Sequence, residues 1–447
     1  MNILDKLVIP LSPEHLKLLH YIAILISFLF IPFISLIIGG TFISLYFELK
    51  GIKKGNAMHL EFAKDVIKIA TVNKSMSIML GILSLFTSIL IYVQLFHSAD
   101  FATVNYLTGA FIFVSIGFVL IYTYRYLLNL NDIFHSIKRI DLSDKKVLDE
   151  ISNFETKSKK LSSKSGKLGL IFILIGCWLF VAGITVSFMS PTWGNSNMIE
   201  ILFSEHVISN FMTFLLMAFA FTGATLMFAF FYWEGGRKDL SDDYKNYIKK
   251  ICIYLTFGGT VLLPLFFLIN LVSIPNNGLS YSVFAFTTVA LLLIFLGFLY
   301  LYAMYKNSDT KYSGQLFFVF LFAILALIIK DQMAIENATQ IQTEILATNF
   351  ENDMAKLTGE NTTPKISGED IYKNICSACH SFDHKIVGPP YKLTLPKYHD
   401  DVDKLVKFIL NPTQNNPGYP PMPNPGLRPD QARAVATYIL KEVKKYE

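Results

Sequence analysis

Three residues in NICSACHSFD, which begins at Asn374, have the types and spacing for covalent iron chemistry. In Cys-x-x-Cys-His the two thiols, here Cys376 and Cys379, add across the vinyl groups of a porphyrin, and the adjacent imidazole, His380, binds the iron. One helical turn brings both sulfurs and the ring to the porphyrin edge. A thioredoxin-like or zinc-binding pair would use the same cysteines. No second Cys/His pair follows at zinc spacing, however, and no βαβ pattern surrounds the motif. The other cysteines, Cys177 and Cys252, lie alone in apolar runs and read as small buried hydrophobes. One covalent haem c is the expected cofactor here.

The flanks must position these groups. SGEDIYKNICSACH reads as a helix running into the site, VGPPY and YPPMPNPG as loops, and DQARAVATYILKEVKK as a closing helix. Over residues 366–447 this pattern resembles a class I cytochrome c, an all-α domain. The resemblance implies that the carbonyl of Pro389 receives the N–H of His380, fixing the ring. It also implies that Met422 is the distal ligand, so that His380 and Met422 share the haem c iron. Ala436 and Tyr438 are placed to cross the first helix near Gly368 and Tyr372. His384 and His399 are rival ligands but sit in charged loops and read as solvated. A Met/His pair raises the reduction potential. This haem should therefore accept electrons from a lower-potential donor and pass them to a soluble cytochrome or a neighbouring subunit.

What precedes the tail is of another kind. Of 447 residues, 53% are hydrophobic and only 16% charged, and the mean hydropathy is +0.44, which excludes an ordinary soluble chain. Apolar runs at about 18–47, 75–97, 104–124, 168–190, 207–233, 251–273, 282–305 and 313–330 meet the roughly twenty residues a membrane helix needs. The first follows Leu18 with no small-residue cleavage site after it, so it is expected to stay in the mature protein. The connections alternate in charge. Residues 48–74 carry six lysines, 125–167 ten Lys/Arg, 234–250 five and 306–312 two, whereas HSADFATVNY, SPTWGNSNMIEILFSEH and IPNNGLSY carry none. The positive-inside rule then puts both termini outside the cytoplasm. The lysines read as topology, and no nucleic-acid partner is expected.

The expected architecture is a transmembrane helical domain over 1–330 and a linker or amphipathic surface helix over 331–365. The cytochrome c domain over 366–447 follows, held on the outer side of a bacterial inner membrane. No span is read as holding a mid-bilayer charge. Trp178, Trp193 and Trp233 fit an interfacial belt, and Gly39–Gly40 and Gly258–Gly259 fit close helix approach or room for a porphyrin.

The tail needs a donor, and the six histidines of the membrane domain are the candidates. His59 and His135 fall in basic inner loops and read as solvated. His15, His20, His97 and His206 lie at the outer ends of spans, on the side of the tail. Imidazoles projecting from facing helices can hold a haem b, for which His20 and His206 are the preferred pair and His97 the substitute. Asn210 and Asn270 can hydrogen-bond a quinone carbonyl, a haem propionate or another helix.

Over roughly residues 11–290, FLFIP (Phe28 to Pro32), Glu48 with the basic turn after it, KIATVN (Lys68 to Asn73), HVIS at His206 and FAF (Phe284 to Phe286) resemble subunit I of the cytochrome bd quinol oxidases. The resemblance implies a haem ligand at His206. The departures are specific. Ser27 stands where that family has a high-spin haem histidine, TGAFIFVSIGFVLIY lacks its two glutamates, and Thr287, Thr288 and Val289 replace its quinol- and haem-linked residues. The long quinol loop and the glycine-arginine-glutamine-proline-tryptophan ending are missing. Oxygen reduction is therefore not expected. The preferred function is a membrane electron-transfer protein, a quinol:cytochrome c oxidoreductase or a subunit of a respiratory complex, taking electrons from the quinol pool through an outer-side haem b to haem c. The alternative is a non-enzymatic membrane anchor presenting a cytochrome c domain.

Overall fold

A long apolar segment in hydrocarbon must satisfy its own backbone, and the helix does so within one segment. The computed structural model describes residues 11–97, 102–137, 145–189, 197–358, 367–398, 401–413, 418–420 and 422–446. Among them, eight helices are long and apolar enough to cross a membrane: Pro13–Lys54, Lys74–Leu95, Ala102–Leu130, Asp149–Ser187, Glu205–Phe231, Asp242–Ser273, Tyr281–Asn307 and Ser313–Ala338. Four start on serines, Ser12, Ser204, Ser241 and Ser280, each accepting a hydrogen bond from the backbone N–H three residues on. An N-cap of this kind satisfies one of the donors that a helix start leaves unpaired. The sixth span breaks at Val261–Leu262, and Pro264 lies in the first turn of the segment that resumes.

The chain divides into two compact units, Met1–Leu346 and Ala347–Glu447. In the first, one core centres on spans one to four and a second on spans five to eight, with spans one, seven and eight contributing to both. Small residues set the approach of the helices. A Cβ at Gly39 would lie 2.2 Å from Thr222 Oγ1, and one at Gly259 would lie 2.6 Å from the backbone N of Ala220, whereas Gly258 faces open space. Close packing therefore accounts for Gly39 and Gly259. At one end of the bundle the helix Ala57–Ala70 turns back along span one, with Ala70 against Gly40. Arg237 pairs there with Asp65 at 3.0 Å.

Two expectations for this unit change. His59 is buried, not solvated: its Nδ1 lies 2.7 Å from Tyr247 Oη and the two rings stack. Burial, then Lys50 and Lys54, hold its pKa below the ordinary imidazole value. The eighth helix does not stop at 330 but continues to Ala338, so Lys330 and Asp331 lie within it as an ion pair at 2.5 Å, with Lys330 6% exposed. A charge pair is thus held inside the bundle. The apolar run ends at Lys330, but Ala334, Ile335 and Ala338 beyond it are still core residues.

In the second unit the short helix entering Cys376 crosses the closing helix Pro429–Val443. Gly368 makes the crossing possible, because a Cβ there would meet Ala434 O at 2.2 Å and Tyr438 Cβ at 2.7 Å. Ala434 takes the contact expected of Ala436, which is buried elsewhere in the same core. A helix not foreseen, Val402–Leu410, adds Leu405, Val406 and Ile409. Trp193, His399, residues 359–365 of the expected linker and the first residue of the expected cytochrome domain lie outside the described residues, as does the side chain of His135.

Candidate functional site

The CSACH segment closes a tight turn in which His380 N and Cys379 N donate to Cys376 O at 2.9 and 3.2 Å. Gly388 N donates back to Cys379 O at 2.8 Å and Tyr391 N to Ser381 O at 3.0 Å, lashing the VGPPY loop to the motif. The lashing leaves no room for a side chain at 388: a Cβ would lie 2.4 Å from His380 Cε1. His380 Nδ1 is 3.0 Å from Pro389 O. With that nitrogen donating, Nε2 is left as the metal-binding atom. The His380 ring also stacks on Tyr391 at 5.0 Å and 10°.

His380 belongs to the wall of a cavity that also includes Cys376, Pro389 and, from another loop, Met422. Leu395, Leu405, Phe408, Ile409 and Ile439 make it apolar. Cys379, half-buried at the same turn, is not part of this wall. The residues fit a haem: a soft sulfur and an imidazole on one apolar cavity, with a thiol beside the imidazole. Burial pushes the Cys376 thiol up to about 11. It therefore stays protonated and inert until it is joined to a porphyrin. His384 is exposed and engaged by Asp383 at 2.7 Å, away from the cavity wall. Tyr391, Phe408 and Tyr419 were not singled out from the sequence as wall residues. The spacing of Val402, Leu405, Val406 and Ile409 was the available signal for one of these walls.

In the bundle the candidate histidines gather at the end where spans one, five and eight carry polar residues. His20 is 5% exposed, and its ring faces Gln332, the side chain placed to pair with one of its nitrogens, and Glu336; neither nitrogen has a partner within hydrogen-bond distance among the described residues. His206 is half-buried with Nδ1 likewise unpartnered. His97 is half-buried and its carbonyl accepts from Gln342 at 2.8 Å, while exposed His15 meets Gln94 at 3.2 Å. No contact joins His20 to His206 or to His97 among the described residues. Helical register nevertheless aligns the first two. Residues seven or eleven positions apart share a face; His20 heads the stripe of Ser27 and Ile31, and His206 the stripe of Thr213 and Met217.

Both stripes line a second, partly open cavity between the helices of the bundle. Asn210 and Asn270 also line it, and both serve other helices: Asn210 Nδ2 donates to Thr185 Oγ1 at 2.9 Å, while Asn270 accepts from Ser209 and donates to Thr213, each at 2.6 Å. Lys330, Asp331 and Gln332 complete the polar part of the wall. These three are the residues that sequence reasoning missed, because the apolar run ends at Lys330. Trp178 donates to Leu202 O at 3.2 Å, and Trp233 is exposed.

Residues 366–442 match the family model described as cytochrome c. Cytochrome c-551 of Pseudomonas denitrificans is 35% identical over 78 residues, which are 17% of this chain and 95% of that protein. Cytochrome c-551 of Allochromatium vinosum is 38% identical over 72 residues, 15% of this chain and 77% of that protein. The protein of the same name from Pseudomonas aeruginosa is 35% identical over 78 residues, 17% of this chain and 75% of its own length.

Proposed function

We propose, from the premise that the chain belongs through residues 366–442 to the cytochrome c family, that it is a membrane quinol:cytochrome c oxidoreductase or the subunit of a respiratory complex that does this work. The coarser statement needs no proposal: a cytochrome c domain that transfers electrons is joined to eight helices able to cross a membrane. In the proposal Cys376 and Cys379 attach the haem, and His380 and Met422 hold its iron, which changes by one electron per transfer. Pro389 orients the His380 ring, and the apolar wall keeps water from the iron, favouring the less charged reduced state.

For the membrane unit, His20 carries the reading. The ring is buried and Gln332, which faces it, can serve only one of its nitrogens, so the other is left unmade at a cost of about 1–3 kcal/mol. Iron ligation in a haem b would supply the missing partner at one nitrogen, with His206 as the second ligand or His97 in its place. The basic connections support the outer side of a bacterial inner membrane for this end of the bundle, where the chain leaves the eighth span. Quinol protons would be released on that side. The likeness to subunit I of the cytochrome bd quinol oxidases supports a quinol substrate. Ser27 and Thr287, which replace that family's haem- and quinol-linked residues, both line the bundle cavity and offer no imidazole, which weighs against oxygen reduction.

The test is a reduced-minus-oxidised spectrum of the purified full-length chain, recorded before and after adding a short-tailed quinol. A b-type α-band beside the c-type band, lost in His20→Ala, together with reduction of haem c by quinol, is the expected result. A c-type band alone would sink the proposal. It would leave the second reading, a membrane anchor presenting a cytochrome c domain to a partner complex. That reading is favoured by the absence of any histidine from the wall of the bundle cavity.

A further inference from the structure

The bundle cavity is built from two kinds of surface. Most of its wall is apolar, with Phe180, Ile184, Phe188 and Phe214 on spans four and five. Against this stands a short polar segment of span eight. Lys330 and Asp331 are paired at 2.5 Å, and Gln332, 2% exposed, donates through Nε2 to Tyr92 Oη at 2.7 Å. Gln332 Oε1 is buried with no donor within hydrogen-bond distance among the described residues; the His20 ring faces it and can serve one of its two lone pairs, which leaves the other open. A carboxylate has acceptor sites beyond the one that Lys330 occupies. The wall thus presents two acceptors in want of an O–H or N–H donor, within a mainly hydrophobic chamber. Ionisable groups inside a membrane helix bundle are costly and mark ligand or proton paths.

We propose that this cavity binds the head group of a quinol, with Asp331 and Gln332 accepting hydrogen bonds from its hydroxyls. The N–H that Asn210 and Asn270 each retain beyond their helix contacts is suited to the carbonyl oxygens of the oxidised form. A porphyrin fits less well. The wall contains no histidine or cysteine, Lys330 is engaged by Asp331, and ionised propionates bring acceptors where donors are needed. Water can satisfy Gln332, but it needs several polar partners and leaves the aromatic wall bare. The apolar ring and tail of a quinol cover that wall. Ser27 and Thr213 tie the cavity to the stripes headed by His20 and His206, so the head group would lie beside the residues assigned to haem b.

The inference rests on the quinol-oxidising reading, and direct binding separates the two. The full-length, haem-c-loaded chain in detergent, stripped of native quinone and held reduced with ascorbate under anaerobic conditions, is titrated by equilibrium dialysis with a short-tailed 1,4-benzoquinol and a short-tailed 1,4-naphthoquinol. One of them binds, and Gln332→Leu and Ile184→Trp each weaken that binding by about tenfold or more. Ile184→Trp fills the chamber without touching its polar segment, so it guards against a folding defect peculiar to position 332. Haem c content stays unchanged in both variants. Binding of neither quinol, or unchanged affinity in both variants, overturns the site. Loss of a b-type band in Ile184→Trp with quinol affinity retained assigns the cavity to a porphyrin and also overturns it. Binding that follows the prediction in a chain whose haem c quinol cannot reduce leaves the site standing and removes the oxidoreductase reading.

Discussion

Replacing Gly388 with alanine should raise the reduction potential of haem c without detaching it. The new methyl would stand 2.4 Å from His380 Cε1 and 2.7 Å from Nδ1, against an ordinary contact of 3.4–4 Å. The backbone cannot easily retreat, because Gly388 N and Val387 N both donate to Cys379 O and Lys392 N donates to Phe382 O. The ring must yield by about 1 Å, since packed atoms do not overlap. That carries Nδ1 out of hydrogen-bond range of Pro389 O, now 3.0 Å away. The lost bond is worth about 0.5–1.5 kcal/mol. It makes the imidazole a stronger donor and so favours ferric over ferrous iron. If the whole amount is differential, the potential rises by about 20–60 mV, a tenfold change being about 59 mV for one electron. Spectroelectrochemical titration of the purified full-length chain reads the shift. Gly426→Ala is the control: φ is +68° there and a Cβ would meet nothing within 4 Å, so it strains the backbone but leaves the ring alone. A Gly388→Ala potential within about 10 mV of the parent, or a fall, refutes the reasoning.

Gly368→Ala is expected to destabilise the cytochrome unit by about 1–3 kcal/mol through the clash with Ala434 O, read as a lower thermal midpoint in haem-band circular dichroism. In the bundle, Gly259→Ala should lower the detergent-solubilised melting temperature while Gly258→Ala leaves it nearly unchanged, because only the former meets backbone of a neighbouring span. Equal effects would contradict the packing described. Acidification should weaken the His59–Tyr247 contact. The folded state holds His59 below its unfolded value of about 6.5. The unfolded chain therefore binds more protons just under that pH, and stability present above it is lost as pH falls. Thermal melts from pH 8 to pH 5.5 should show a fall that His59→Phe flattens.

The haem motif illustrates what the sequence alone could decide. Thioether chemistry needs Cys376, Cys379 and His380 in one local turn, so their spacing carries the cofactor without any knowledge of distant contacts. The eight spans were legible for a similar reason: solvation by lipid acts on each segment separately, and the positive links between them are local too. Helix crossings are not local. Gly368 could be seen to need a close neighbour, but whether Ala434 or Ala436 supplied it depended on the rotation of the closing helix. His59 sits among lysines in the sequence, and only the return of the helix Ala57–Ala70 along span one places it under Tyr247. Span eight is the sharpest case. Hydropathy ends the run at Lys330, since a lysine and an aspartate in succession read as solvent. Burial depends on what faces them, and the fold turns that pair and Gln332 into one end of an internal cavity. The sequence by itself determined where electrons are held at the tail. Which polar groups are enclosed in the bundle was decided by eight helices packing together, because enclosure belongs to all the walls and to no single segment.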